Sequence, residues 1–124
     1  MVIAIISLLA AIGLAAFGQV QRRARDVRRL EDMQSISKAL ALYDVAVGAF
    51  PISTSPTTLT GADAVSLALI NLETIPAVPR DLSAPVHEYT YQSNSTGNAY
   101  VLTFCLDTNT IQGYVQGCTN TLRP

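Results

Sequence analysis

The first 21 residues of this chain contain no charged side chain, and the chain has no proline before Pro51 and no glutamate or aspartate before Asp26. It has one histidine, His87, and two cysteines, Cys105 and Cys118. These absences exclude much. There is no C-x-x-C and no C-x-x-C-H, so neither the dithiol redox motif nor the haem attachment motif is present. Two lone cysteines with no histidine nearby do not make a zinc site, which wants four ligands. No nucleophile elbow, phosphate-binding loop or paired carboxylate occurs, and His87 has no acidic or serine partner in a recognisable motif, so the sequence makes no case for an enzyme and implies no cofactor or metal. Asp107 and Asn109 resemble part of a calcium loop, but a third acidic ligand and the central glycine are missing, so turn chemistry is the reading for this pair. Lys and Arg are not spread over a face with aromatics between them, so no specific nucleic-acid site is identified. The absence of a basic leader ahead of the apolar stretch argues against a secretory signal peptide.

What is present is a split. Residues 1–21 are almost wholly apolar, and then five of the eight residues from Arg22 to Arg29 are arginine. Twenty apolar residues in a helix span about 30 Å, the thickness of a bilayer core. Beyond the arginines, Leu30, Met33, Ile36, Leu40, Tyr43 and Val47 recur at spacings of three and four, which marks one apolar stripe on a helix. Arg22 with Asp26 and Arg28 with Asp32 read as exposed i,i+4 pairs worth about 0.3 kcal/mol each. One helix of about 70 Å is therefore expected from the first residues to about Val47. Segment 1–21 is a hydrophobic portion that needs lipid or other copies of itself, and segment 22–50 is its amphipathic continuation.

Residues 51–124 read as a small globular domain of roughly 75 residues, which buries only a modest core. Ser53–Thr60 holds six Ser or Thr in eight positions. It reads as a solvated loop or as an O-glycosylated patch over Ser53, Thr54, Ser55, Thr57 and Thr58. Asn94-Ser95-Thr96 matches the N-glycosylation pattern, a match short enough to arise by chance. A short helix is expected over 62–72, with Val65, Leu69 and Leu72 on one side, followed by a proline-punctuated connection. Strands are expected at 87–93, 99–106 and 111–116, as a three-stranded antiparallel meander. On the second strand, Tyr100, Leu102, Phe104 and Leu106 share one face, expected to pack on Leu40, Tyr43 and Val47 of the long helix. The cysteine pair fits a disulfide in an oxidising compartment, or two buried thiols.

The apolar start and the residues after it resemble those of type IV pilins and the related pseudopilins. Members begin, after a cleaved leader, with a stretch of the type FTLIELLVVIAIIGILAAI, and VIAIISLLAAIGLAAF (Val2 to Phe17) looks like its continuation. Ala24-Arg25, Ile36, Ala39-Leu40, Tyr43, Gly48 and Phe50-Pro51 match a pattern frequent in the family's first helix. The likeness covers about the first 50 residues. Relative to it, the leader and roughly seven mature residues are expected before Val2. The family's cleavage glycine, aromatic residue and early glutamate have no counterpart here, nor does the proline many pilins carry after the apolar run, near Ala15.

The resemblance implies an α+β fold with the long helix packed by its distal half on a small sheet. It raises the expectation of a Cys105–Cys118 disulfide, because many pilins close a C-terminal loop in this way. It implies a major pilin, polymerising with identical copies into a helical extracellular filament and held in the inner membrane before the assembly machinery extracts it. Val2, Ile3, Ile5, Ile6, Leu8, Leu9, Ile12, Leu14 and Phe17 would then form the filament core. The alternatives are a secretion-system pseudopilin and a membrane-anchored binding module that never polymerises. Positive residues prefer the cytoplasmic side of a membrane, so arginines after the apolar stretch pull the domain inward while the cysteines argue for outside. A basic leader ahead of Val2 would remove that conflict. One pilin scaffold serves adhesion, twitching motility and DNA uptake.

Overall fold

The computed structural model describes all 124 residues. A single helix, α1, runs from Val2 to Val47. It ends where Gly48 takes a left-handed conformation (φ 86°) and donates its N–H to the Asp44 carbonyl, a cap that a residue with a Cβ resists. After α1 come β1 (Thr57–Thr58), α2 (Ala64–Asn71), β2 (Thr90–Ser93), β3 (Tyr100–Leu106) and β4 (Gly117–Leu122). The strands form one antiparallel sheet in the order β1-β2-β3-β4. The molecule is thus α+β, one long helix with a four-stranded sheet.

Two expectations about the sheet need correction. A fourth strand exists, because Thr57 and Thr58 pair with Tyr91 and Thr90. The last strand lies at 117–122 and not at 111–116. Residues 111–116 form a loop because side chains occupy their backbone. Asn120 accepts from the Val115 N–H and donates to the Val115 and Gly117 carbonyls, and Asn109 accepts from the Gln116 N–H. Gly113 within that loop and Gly117 just after it sit at positive φ. Such local side-chain bonds compete directly with ladder pairing.

The core lies between the distal half of α1 and one face of the sheet. Met33, Ile36, Ala39 and Leu40 from α1 meet Tyr89, Tyr91, Tyr100, Leu102, Phe104 and Leu106, with Leu59, Val65, Leu69 and Val78 closing the sides. Every second residue of β3 from Tyr100 to Leu106 is buried, as the period of two requires. Tyr43 packs at the rim of this core, but Val47 is 54% exposed, because α1 has passed the end of the sheet by its last turn. Leu72, expected beside Val65 and Leu69, is likewise exposed, because it follows the last turn of α2. Asp63 caps α2, its carboxylate accepting from the Ser66 N–H, the Ser66 hydroxyl and the Thr60 N–H.

The β2–β3 turn docks against the segment after α1. Phe50 donates its N–H to the Gly97 carbonyl, and a Cβ on Gly97 would stand 2.8 Å from the Phe50 carbonyl oxygen. Gly97 also has φ 67°, so glycine is needed there for space and for conformation.

Candidate functional site

The apolar half of α1 touches nothing. Val2, Ile3, Ile5, Ile6, Leu8, Leu9, Ile12, Leu14 and Phe17 are all at least 60% exposed. An 18-residue window of α1 has mean hydropathy 2.2 with none of it buried, long and apolar enough to cross a membrane by length and composition. Gly13 and Gly18 lie in this half with open space around them. The only side-chain hydrogen bond here is Ser7 to the Ile3 carbonyl, which gives the exposed hydroxyl a partner within the helix.

Where α1 meets the globular domain, an ionic clasp is buried. Arg29 is 2% exposed and Asp26 fully buried. The Arg29 guanidinium grips Asp81 with Nε at 2.7 Å and Nη2 at 3.3 Å, donates Nη2 to the Ser83 hydroxyl, and places Nη1 3.0 Å from Asp26 and 3.2 Å from Asp107. The Asp26 carboxylate accepts the N–H groups of Asp107 and Thr108 and the Thr108 hydroxyl. Arg25 closes the outer side, 3.2 Å from Asp107. The clasp ties α1 to the connection before β2 and to the turn after β3, and no buried polar side-chain atom is left without a partner.

This arrangement replaces the expected exposed pairs. Asp26 pairs forward with Arg29 instead of backward with Arg22, and Asp32 accepts a 2.7 Å hydrogen bond from the Tyr89 hydroxyl. The electrostatics follow from the contacts. Burial works against the Arg29 charge, but hydrogen bonds and charges from Asp81, and then Asp107, outweigh it and raise its pKa. Burial also works against ionised Asp107, but Arg29 and then Arg25 outweigh it and hold its pKa below the usual carboxylate range. Asp32 is pushed up, mainly by burial. The Tyr89 phenol is also raised, by burial and then by its bond to Asp32. Burial raises Tyr91 to about 12. Asp107 therefore anchors charges as well as shaping a turn.

Beside the clasp, Cys105 of β3 and Cys118 of β4 are joined by a disulfide, with Cα atoms 3.9 Å apart. A bond closing a loop of this size contributes about 3 kcal/mol in the entropy model. His87 faces it, with Nδ1 3.7 Å from Cys118 Sγ and Nε2 3.7 Å from Asp107 Oδ1.

The hydroxyl-rich segment is partly pinned. Ser53 and Thr57 share a 2.6 Å hydrogen bond, Ser53 donates its N–H to the Ser93 hydroxyl, and Thr57 and Thr58 belong to β1. Thr54 and Ser55 are exposed. The Asn94 side chain spans its own turn, accepting the Asn98 and Ala99 N–H groups and donating to the Asn98 side chain. Its amide nitrogen is thereby committed to turn chemistry.

No family model, no curated protein and no solved structure matches this chain.

Sequence reasoning missed the clasp, although a signal was there. Asp26, Arg29, Met33, Ile36 and Leu40 follow one another at spacings of three, four, three and four, so the two charges extend the buried stripe. Their partners Asp81 and Asp107 are too far along the chain to be paired by pattern. The same holds for His87 and the cysteines.

Proposed function

We propose that this chain is a structural subunit, of the type IV pilin kind, that polymerises through the apolar half of α1 into a helical filament outside the cell, after residing in the inner membrane. One observation carries the reading. Nine large apolar side chains, from Val2 to Phe17, ring a helix that continues into a folded domain, with no part of that domain covering them. Such a surface requires lipid, copies of itself, or each in turn. Burying eight of these side chains at about 2 kcal/mol each gives a gross stabilisation on the order of 15 kcal/mol before ordering costs.

The small residues Ala10, Ala11, Gly13, Ala15 and Ala16 among the large ones favour helix–helix contact. The clasp at Asp26 and Arg29 begins one turn beyond the apolar half, so the domain is gripped close to the point where the filament core would end. The sheet, the disulfide and the Ser/Thr-rich loop would then coat the outside. The resemblance of Val2–Pro51 to the pilin first helix points the same way.

Electron microscopy of material sheared from the surface of cells expressing the chain tests this. Long filaments containing the chain are the expected result. Short filaments confined to the periplasm indicate a secretion-type pseudopilus, and chain found only as monomer in the membrane fraction refutes polymerisation.

A further inference from the structure

We propose that the dithiol form of this chain binds one soft divalent cation of the zinc class, through the thiolates of Cys105 and Cys118 and Nδ1 of His87, with Asp107 orienting the imidazole. The fold brings these groups together from three separate segments: the connection before β2, β3 and β4. One ligand atom from each of His87, Cys105 and Cys118 lies within 4.8 Å of the others.

The geometry suits a metal in several ways. Two ligands of one tetrahedral zinc, a nitrogen and a sulfur, stand about 3.6 Å apart given zinc bonds of about 2.1 and 2.3 Å. His87 Nδ1 already lies 3.7 Å from Cys118 Sγ. The other ring nitrogen points to a carboxylate, with Nε2 3.7 Å from Asp107 Oδ1. A carboxylate on the far nitrogen is the arrangement that fixes the tautomer and raises the basicity of a metal-bound histidine. Asp107 is itself held by Arg25 and Arg29, so it is a fixed point for the ring to lean on.

The backbone permits the sulfurs to part. The β3–β4 register shifts between Phe104 and Leu106, so Cys105 sits at a bulge, and a bulge re-aims side chains without dissolving the sheet. Cys118 is exposed and Cys105 buried, so a metal would enter from the Cys118 side, over a recess of about 400 Å³ lined by Arg22, Arg25, His87, Asp107 and Gln116. Three protein ligands leave the fourth position to water. Each thiol gives up its proton to solvent when the metal binds. The disulfide form lacks both thiolates, so disulfide closure and metal binding exclude each other. A chain is synthesised with its cysteines as thiols, so the metal-binding form precedes the disulfide.

The test uses the full chain in detergent micelles, reduced with a water-soluble phosphine, which takes up oxygen from water to become its oxide while the disulfide becomes two thiols. Cobalt(II) is the probe. The reduced chain is expected to take up one cobalt with the visible spectrum of a tetrahedral thiolate site, displaced by zinc, and the disulfide form none. His87→Ala should weaken cobalt binding by about tenfold or more. Asp107→Ala should weaken it about tenfold and shift the spectrum, and Asp107→Asn, which keeps an acceptor for Nε2, should restore both. Circular dichroism follows the fold of each form. Equal cobalt uptake by the reduced and disulfide forms overturns the proposal, as does unchanged affinity in His87→Ala. A reduced chain that unfolds and does not refold on zinc addition overturns it too. Equal loss in Asp107→Ala and Asp107→Asn removes Asp107 from it.

Discussion

The two halves of α1 have the same backbone and opposite surroundings. From Val2 to Gln21 every residue is exposed, although the segment is the most apolar in the chain. From Arg22 to Val47 the helix is rich in charge, yet Asp26, Arg29, Met33, Ile36, Ala39 and Leu40 are buried. Hydrophobicity therefore does not decide what is inside this domain. The period does. The distal half has one stripe that a sheet can cover, whereas the proximal half is apolar all round and presents no single face to any one partner. The first half is built for an environment, the second for a contact.

The largest expected effect breaks the first half alone. Ile6→Asp puts a charge in the middle of the uncovered surface, 60% exposed in the isolated chain. It should abolish filaments completely. The fold should survive, because Ile6 touches no part of the core. Normal filaments from this variant would refute assembly through that surface, and loss of the fold would show that the halves are not separable.

A smaller but still large effect is expected from the second half. Arg29→Ala removes the cation among Asp26, Asp81 and Asp107 and leaves buried carboxylates unpaired. Breaking a buried pair in this way costs about 3–5 kcal/mol. Arg22→Ala, a few residues away and exposed, should change stability by less than about 0.5 kcal/mol. Denaturant midpoints of the two variants in one detergent give the contrast. Equal midpoints would mean that the clasp contributes no net stability.

The legibility of the sequence follows the same division. The extent of α1, the apolar half and the stripe through Met33, Ile36 and Leu40 could be read directly, because helix periodicity is local. The inward face of β3 could be read for the same reason. What could not be read depends on distant pairs. Thr57 and Thr58 become a strand only because Tyr91 and Thr90 lie beside them. Residues 111–116 looked extended, but Asn109 and Asn120 take their backbone groups. The i,i+4 spacing pairs Asp26 with Arg22 on the helix surface, whereas the fold gives it Arg29 and two N–H groups from a turn some 80 positions on. Tertiary partners outbid local ones when they bring burial with them.

Next in size is the backbone of the first half. Gly13 and Gly18 weaken the helix by about 2 kcal/mol together. Unwinding the segment between them inside an apolar filament would strand about four backbone hydrogen bonds at about 1–3 kcal/mol each. The second figure exceeds the first, and no proline removes a donor in advance. The helix should therefore remain unbroken from Val2 to Val47 after assembly, as it is in the isolated chain. An extended segment between Gly13 and Gly18 in filament density would mean that neighbouring chains or water meet those carbonyls.

The smallest effect expected is a pH dependence of the second half, because its contributions oppose one another. Asp107 and Asp63 have folded-state pKa values below 3.8, held down against burial by Arg29 and Arg25 for Asp107 and by hydrogen bonds from Ser66 and Thr60 for Asp63. Each binds its proton less readily folded than unfolded. Their contribution is therefore complete above the unfolded value and is lost as pH falls through the lower folded one. Asp32 runs the other way. Burial raises its folded value, so its ionised form is a burden at neutral pH, relieved as pH falls through that raised value. The sum is a nearly flat profile between about pH 7 and pH 5, and a fall toward about pH 3, where the unfolded chain takes up protons that folded Asp107 and Asp63 resist. Denaturant midpoints at those three values check it. Asp32→Asn keeps an acceptor for the Tyr89 hydroxyl and removes the half-buried charge, so it should raise the neutral midpoint and leave the acid fall in place. Asp107→Asn should lower the neutral midpoint and flatten the acid fall. Stability that rises from pH 5 to pH 3 would mean that Asp32 outweighs the two depressed carboxylates, and the clasp would then be weaker than its contacts imply.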